Sequence, residues 1–173
     1  PRRSKKRFEK ETQIVFNIRV STVSLTLEEI FDLAQKTLLA NGCDDETASI
    51  LANLIKNAER DGSLSHGLFR LPAYVSGLKS GKINGKGKPE VQKVSTSVIK
   101  VQGNNCLAPV VLSKGLPELS KAAKENGVAV LAINNSHHMA AMWPETEKLA
   151  EDGLVAFACT TYKPAVAPAG AIT

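Results

Sequence analysis

The order of apolar and polar positions predicts two amphipathic helices in the first third of the chain. Thr26 and Glu29 have the spacing of a capping box, and the helix after them is predicted to stop at Asn41-Gly42. A second helix is predicted to start near Asp44-Asp45 and to end before Gly62. Their inward positions are predicted to be Ile30, Leu33, Ala34, Leu38, Ala48, Leu51, Leu54, Ile55 and Ala58.

Short apolar segments predict strands further along the chain. Residues 11–24 alternate between apolar and polar positions, and 90–94 and 98–102 have the pattern of two strands around a polar turn. The runs 128–133 and 154–159 are continuously apolar, which is typical of strands buried on both faces.

Helices are predicted between and after these strands. The segment 108–126 has a helical pattern, although Gly115 and Pro117 predict an irregular first half. Another helix is predicted to begin at Pro144-Glu145 and to stop at Gly153. Strand, helix and strand in this order indicate a right-handed crossover within a parallel or mixed sheet.

The sequence therefore predicts an α/β (α+β) protein, with an N-terminal helical subdomain followed by a mixed sheet with helices. We divide it into a basic tail with a short strand at 1–24, the helical subdomain at 25–88, and an α/β part at 89–173. The polar cluster at 134–138 then follows a strand, where open α/β sheets bind their ligands.

Composition indicates an ordinary globular protein, because hydrophobic residues make up 43% of the 173 residues. No apolar run approaches the ~18–20 residues of a membrane span, and the basic start lacks the apolar region of a secretory signal. The three cysteines, Cys43, Cys106 and Cys159, are far apart and lack metal-ligand spacing. We therefore expect a cytoplasmic protein with free thiols and no membrane partner.

The net charge of +5 is confined to one end of the chain. Residues 1–10 contain six lysines and arginines and one glutamate, which accounts for the whole excess. A nucleic-acid-binding surface needs basic residues gathered on the fold, so this pattern favours a solvated tail over a nucleic-acid partner.

The first candidate site is the segment around Ser65-His66-Gly67. A histidine at a helix start suits acid/base chemistry near neutral pH, with the Ser65 hydroxyl orienting the ring as it caps the helix. Arg70 and Tyr74 follow at successive four-residue steps on the same face, and a guanidinium suits a substrate carboxylate. The spacing alone also fits a capped helix with an exposed histidine and a surface arginine.

The second candidate site is Asn134–His138. His137 and His138 are possible metal ligands, but the chain offers no third ligand at a fitting spacing, so we predict no metal. A structural role and an active-site role both remain open for these histidines. The amides around Asn135-Ser136 suit a phosphate or pyrophosphate. No glycine-rich dinucleotide fingerprint or P-loop is present, so spacing alone does not predict a nicotinamide cofactor.

Several motifs nevertheless match a known family in order. They are Ser65-His66-Gly67 with Arg70, Pro72 and Tyr74, then Gly81-Lys82-Ile83-Asn84, Asn135-Ser136-His137-His138, and Ala167-Pro168-Ala169-Gly170. Over about residues 24–173 the chain resembles the type-2 malate/L-lactate dehydrogenase-like NAD(P)-dependent oxidoreductases. That family has a non-Rossmann NAD(P)-binding fold, so the resemblance makes 89–173 the start of such a domain.

Two segments depart from the commoner family patterns. The segment 138–144 replaces His-Phe-Gly-Ala-Ala-Gly and resembles the Δ1-piperideine-2-carboxylate/Δ1-pyrroline-2-carboxylate reductases. Thr160-Thr161-Tyr162 stands where Thr-Asn-Ser is usual. The resemblance thus implies a reductase of cyclic imino acids to pipecolate or proline, with a 2-hydroxy acid dehydrogenase of malate, lactate or ureidoglycolate type as the alternative.

The resemblance also implies roles for individual residues. His66 would be the acid/base residue, supported by Ser65, with His138 close to substrate and nicotinamide, and Arg70 and Tyr74 would bind a small carboxylate substrate. NADPH or NADH would lie along Asn135, Ser136, Thr160, Thr161, Pro168 and Gly170. A homodimer is implied as well. Family members are longer than this chain, so we expect weak or no reductase activity from it alone, with an inactive truncated interaction module as the alternative of another class.

Overall fold

The structure is a computed structural model that describes residues 23–161. Five α-helices and three strands are found in this range, together with two short 3-10 turns, Leu64–His66 and Leu68–Arg70. In chain order the helices and strands are α1 Leu27–Ala40, α2 Asp45–Arg60, α3 Leu71–Lys79, β1 Glu90–Lys93, β2 Val98–Gln102, α4 Ala108–Asn126, β3 Val130–Asn134 and α5 Trp143–Glu151. The strand predicted within 11–24 has its alternating apolar positions outside the described residues.

Local capping chemistry sets the ends of the first two helices, as predicted. The Thr26 hydroxyl accepts from the Glu29 amide at 3.2 Å, and the Glu29 carboxylate accepts from the Thr26 amide at 2.8 Å. The Asp44 carboxylate accepts from the Thr47 amide at 2.9 Å at the start of α2. The predicted inward positions are confirmed except Leu33, which is 46% exposed because it lies at the edge of the buried stripe of α1.

The predicted helix start at Ser65 is wrong. Helix α3 begins at Leu71 instead, and no side chain caps it. A helix that started at Ser65 would bring Pro72 into its interior, where proline removes a hydrogen bond, whereas in the first turn its missing N–H has no cost. Ser65 and His66 therefore lie in a 3-10 turn, and His66 and Arg70 are not one α-helical turn apart.

The three strands form one mixed sheet in the order β1-β2-β3. Strands β1 and β2 pair antiparallel around the predicted turn, and β2 and β3 pair parallel with α4 as their connection. The predicted mixed sheet is confirmed. Asn134 is the last residue of β3, so the second candidate site does follow the carboxyl end of a parallel strand.

Helix α4 is continuous, so the predicted irregular first half is wrong. Gly115 instead lets the helix approach the sheet closely, because a Cβ there would lie 3.0 Å from side-chain atoms of Leu131 and of Val101. Pro117 lies inside the helix.

The two apolar runs are not strands buried on both faces. In β3 the residues alternate between half-buried and exposed, and Val130 is 56% exposed. Residues 154–159 form no strand among the described residues, and Val155 and Phe157 are 104% and 90% exposed. A strand needs a ladder partner as well as apolar residues, and the described part of the chain provides none for this segment.

A single apolar core joins the helices to the sheet. Most of its members come from α1, α2, α3, β2 and α4, and Cys43, Cys106 and Leu107 lie just outside these elements. The members are Ile30, Ala34, Leu38, Cys43, Ala48, Leu51, Ala52, Ile55, Leu71, Tyr74, Val101, Cys106, Leu107, Val110 and Val111. The division of the chain at residue 88 stays a prediction. Among residues 23–161, no helix is long and apolar enough to cross a membrane.

Candidate active site

The turn after α2 holds the His66 ring by its Nδ1 atom. The Ser65 hydroxyl lies 3.0 Å from Nδ1, and the Ser63 hydroxyl lies 3.2 Å from the same atom. Two hydroxyls at one nitrogen fix the orientation of the imidazole and direct its Nε2 edge away from them. The sequence did not identify Ser63 as a site residue, because no motif links a serine to a histidine three residues later.

Arg70 lies beside this turn with its charged end free. Its Nε donates to the carbonyl oxygen of Ser65 at 2.7 Å, which ties the guanidinium to the residue before His66. Within the described part of the chain, the side-chain hydrogen bonds of Arg70 involve Nε alone. The two terminal amino groups of the half-buried side chain are therefore available to a planar anion such as a carboxylate.

Buried Tyr74 and half-buried His138 form a pair that joins the two candidate sites. The Tyr74 hydroxyl lies 3.2 Å from Nδ1 of His138, and the rings meet edge to face with centroids 5.5 Å apart. Burial raises the pKa of Tyr74 to about 12, so its hydroxyl stays protonated. The pKa of His138 is lowered, first by burial and then by the charges of Arg70 and His66. His138 is thus a neutral imidazole near neutral pH.

Trp143 packs against His66. The two rings are edge to face, with centroids 6.3 Å apart and an interplanar angle of 80°. Trp143 is the first residue of α5, directly after the loop that carries His138. The sequence showed that this segment departs from the common family pattern. It did not predict that Trp143 contacts His66, because the two residues are far apart in the chain.

The loop after β3 is shaped by its contacts with the loop after β2. Asn135, His138 and Ala140 have positive φ angles of 50°, 44° and 57°. The Asn135 carbonyl accepts from the Asn105 amide at 2.9 Å, and a Cβ on Gly103 would lie 2.7 Å from that carbonyl oxygen. Gly103 therefore allows the two loops to meet at the carboxyl ends of the parallel strands.

Residues predicted to bind the cofactor are only partly brought together. Asn135 is exposed and Ser136 is half-buried in the loop beside His138, and a polar loop at the end of parallel strands suits a phosphate-bearing cofactor. Thr160 and Thr161 are exposed, and no hydrogen bond within residues 23–161 joins them to the histidines. Pro168 and Gly170 lie outside the described residues. No group of three potential metal ligands occurs in the described range.

Fold and site together define an α/β protein in which the segment of His66, Arg70 and Tyr74 contacts the segment that follows a parallel strand. Residues 25–173 match the family model described as malate/L-lactate dehydrogenase. The chain belongs to this malate/L-lactate dehydrogenase family, as its motifs predicted.

Two curated relatives are cyclic imino acid reductases. The chain is 39% identical over 150 residues to a Δ1-pyrroline-2-carboxylate/Δ1-piperideine-2-carboxylate reductase of Pseudomonas syringae pv. tomato, covering 87% of this chain and 44% of the relative. It is also 39% identical to a Δ1-pyrroline-2-carboxylate reductase of Ancylobacter novellus, with the same coverages. The chain thus spans about 44% of the length of the curated relatives it matches.

Solved structures share the fold. The crystal structure of the Δ1-piperideine-2-carboxylate reductase from Pseudomonas syringae pv. tomato matches with a TM-score of 0.73 at 39% identity, covering 76% of this chain and 40% of that one. The malate dehydrogenase of Pyrococcus horikoshii matches with a TM-score of 0.71 at 28% identity, covering 76% and 38%. The predicted fold class, helices with a small mixed sheet as in malate/L-lactate dehydrogenase-type proteins, is therefore confirmed for the described part of the chain.

Proposed function

We propose that this protein works as a NAD(P)H-dependent reductase of cyclic imino acids, converting Δ1-piperideine-2-carboxylate or Δ1-pyrroline-2-carboxylate to pipecolate or proline. The observation that carries the proposal is the pair of contacts that join two distant segments, Tyr74 with His138 and His66 with Trp143. The imino acid reductases at 39% identity support this substrate class.

Arg70 binds the substrate carboxylate in this proposal. Its terminal amino groups are a pre-oriented fork, because Nε is already held by the Ser65 carbonyl at 2.7 Å. A carboxylate on this fork brings the neighbouring C=N bond towards His66 and His138. Binding of this kind fixes the orientation of the reacting carbon, which is a large part of catalysis for a transfer between two bound molecules.

His66 supplies the proton. Ser63 and Ser65 contact Nδ1, so the Nε2 atom is the one that faces substrate and donates a proton to the imine nitrogen as the neighbouring carbon is reduced. When bound, a reduced nicotinamide supplies the hydride for that carbon. His138 stays neutral and is held by Tyr74, so it contributes a hydrogen bond without competing with His66 for a proton.

The cofactor-binding part of the proposal rests on the loop after β3. Asn135 and Ser136 hold the cofactor there, with Thr160, Thr161, Pro168 and Gly170 as further contacts implied by the family motifs. NADPH or NADH is the cofactor. The free thiols Cys43, Cys106 and Cys159 support a reducing compartment, the cytoplasm. The homodimer stays a prediction from the family resemblance.

A substrate comparison tests the proposal. Oxidation of NADPH and of NADH by the purified protein is followed with Δ1-piperideine-2-carboxylate, Δ1-pyrroline-2-carboxylate, pyruvate and oxaloacetate. We expect a higher kcat/KM for the two imines. A preference for the keto acids would instead support the 2-hydroxy acid dehydrogenase, for which the malate dehydrogenase fold is the observation in favour. No oxidation with any of them, together with no NADPH binding by calorimetry, would overturn the proposal.

A further inference from the structure

The Glu59 carboxylate reaches into the turn that carries the site. Its Oε1 accepts from the Leu68 amide at 2.7 Å, nine residues further along the chain. Glu59 belongs to α2, whereas Leu68 stands between His66 and Arg70. One side chain of a long helix thus holds the peptide that separates the proposed proton donor from the proposed carboxylate-binding group.

Gly67 leaves the space that the Glu59 carboxylate occupies. A Cβ at Gly67 would lie 2.0 Å from Oε1 of Glu59 and 2.5 Å from its Cδ. No side chain fits at this buried position while the carboxylate keeps its bond to Leu68. The glycine of the Ser65-His66-Gly67 motif is therefore explained by the carboxylate that packs over it.

Few backbone hydrogen bonds close the turn itself. Each 3-10 segment has three residues and is closed by single backbone bonds, such as Gly67 to Leu64 at 3.2 Å and Arg70 to Gly67 at 3.0 Å. Short 3-10 turns are weak because their hydrogen bonds are poorly aligned and few. Helix α2 is anchored in the core through residues such as Leu51 and Ile55. A hydrogen bond from the turn to this helix therefore fixes the position of the turn relative to the core. A charged acceptor also makes the stronger kind of hydrogen bond.

We propose that Glu59 is a positioning residue of the site, which sets the distance and orientation between His66 and Arg70 from α2. This inference rests on the proposed function for its kinetic consequences but not for its structural ones. Glu59 itself touches neither the imidazole nor the guanidinium through any hydrogen bond in the described residues. Its effect passes through the Leu68 amide and through its packing over Gly67.

Three single variants and one double variant test this role. Glu59→Ala removes the acceptor, Gly67→Ala displaces it by steric contact, and Glu59→Gln keeps an acceptor oxygen. We expect Glu59→Ala and Gly67→Ala each to lower kcat/KM about 100-fold, because a small misplacement of reacting groups has an effect of this size. The double variant Glu59→Ala/Gly67→Ala should be no worse than Glu59→Ala, since both changes break one contact. Glu59→Gln should recover most of the activity.

A purely structural role is distinguished by a second readout. NMR of the imidazole nitrogens of His66 is measured in the folded state, with Tm recorded for each variant and Glu125→Ala, an exposed change in α4, as the matched control. We expect Glu59→Ala and Gly67→Ala to shift the His66 signals and Glu125→Ala to leave them in place. A lowered Tm with unmoved His66 signals, or additive losses in the double variant, would overturn the proposal.

The outcomes separate this inference from the proposed function. If the unchanged protein neither reduces an imine nor binds NADPH, the proposed function fails, while the His66 signals of the Glu59 and Gly67 variants still decide the positioning role. If Glu59→Ala fails to fold, Glu59→Gln and Gly67→Ala provide the same comparison. If the protein is active and Gly67→Ala keeps both its kcat/KM and its His66 signals, Glu59 does not position the site.

Discussion

The phenol oxygen of Tyr74 lies 3.2 Å from Nδ1 of His138, although 64 residues separate the two in the chain. This contact links helix α3, which follows the His66 turn, to the loop after β3. Tyr74 is 3% exposed, and its hydroxyl is engaged by the histidine. The prediction that Tyr74 binds substrate stays a prediction, and the geometry favours a hydroxyl that holds the His138 ring in one orientation.

Replacing Tyr74 by phenylalanine should therefore act through His138. We expect Tyr74→Phe to lower kcat about tenfold, which is about 1.4 kcal/mol and of the order of one hydrogen bond. NMR of the His138 ring nitrogens should change at the same time, because Nδ1 loses its partner. An unchanged kcat with a shifted KM would instead indicate that the hydroxyl binds substrate directly.

Replacing Arg70 by lysine should mainly weaken substrate binding. A lysine keeps the charge but loses both the planar fork and the Nε bond to the Ser65 carbonyl. We expect KM for the imino acid to rise by about tenfold or more, in line with the loss of a bidentate charged contact. Arg60→Lys is the control, since Arg60 is exposed and pairs with Asp61 at the surface. Equal effects of the two changes would contradict the role of Arg70.

Glu145 should make folding less favourable as pH rises. It is 8% exposed, its Oε2 has no hydrogen-bond partner among the described residues, and burial raises its pKa above the ordinary 4.5. The folded state therefore holds this proton more tightly than the unfolded state does. The resulting stability is fully present below pH 4.5 and is lost as pH rises through the raised pKa of the folded state.

The variant Glu145→Gln removes this titration. Near neutral pH we expect it to raise the free energy of unfolding by about 1 kcal/mol, the scale of relieving a buried charge that lacks a partner. Below pH 4.5 the two proteins should have nearly the same stability. Urea unfolding across pH measures the difference. Glu118→Gln, in α4, controls for the general effect of charge removal. A gain that persists unchanged in acid would argue against a raised pKa.

Replacing Ala140 by glycine should raise the free energy of unfolding of the protein. Its φ of 57° lies in the left-handed region, where a residue with a Cβ is about 1–2 kcal/mol less favourable than glycine. Glycine offsets about half of this advantage, because its unfolded chain has more conformational entropy to lose. The commoner family pattern has glycine at this place. We expect Ala140→Gly to raise stability by about 0.5–1 kcal/mol. Ala123→Gly within α4 should lower it by about 1 kcal/mol. Destabilisation by both changes would contradict the backbone argument.

Features with local causes were predictable from the sequence. The start of α1 follows from Thr26 and Glu29, and the start of α2 from Asp44, because each cap is made by residues three apart. The two clusters that form the site were also found by their residue types. Their meeting was not visible in the spacing and came from the family resemblance.

The errors arise where distant residues decide the structure. The turn at 64–70 is contacted by Glu59, nine residues before Leu68, and a helix pattern alone does not reveal such a contact. Residues 154–159 have the composition of a buried strand, but strand formation depends on a neighbouring chain segment that composition does not reveal. The Trp143 contact with His66 is non-local in the same way.

The central claim is that His66 supplies the proton during reduction of a cyclic imino acid. The most direct measurement is kcat for Δ1-piperideine-2-carboxylate with the unchanged protein, with His66→Gln, and with His137→Gln as the matched control, because the hydrogen bonds of His137 in the described residues come from its backbone. We predict that His66→Gln lowers kcat by about 100-fold or more, the usual contribution of a general acid, while His137→Gln keeps it. A His66→Gln variant as active as the unchanged protein would contradict the account.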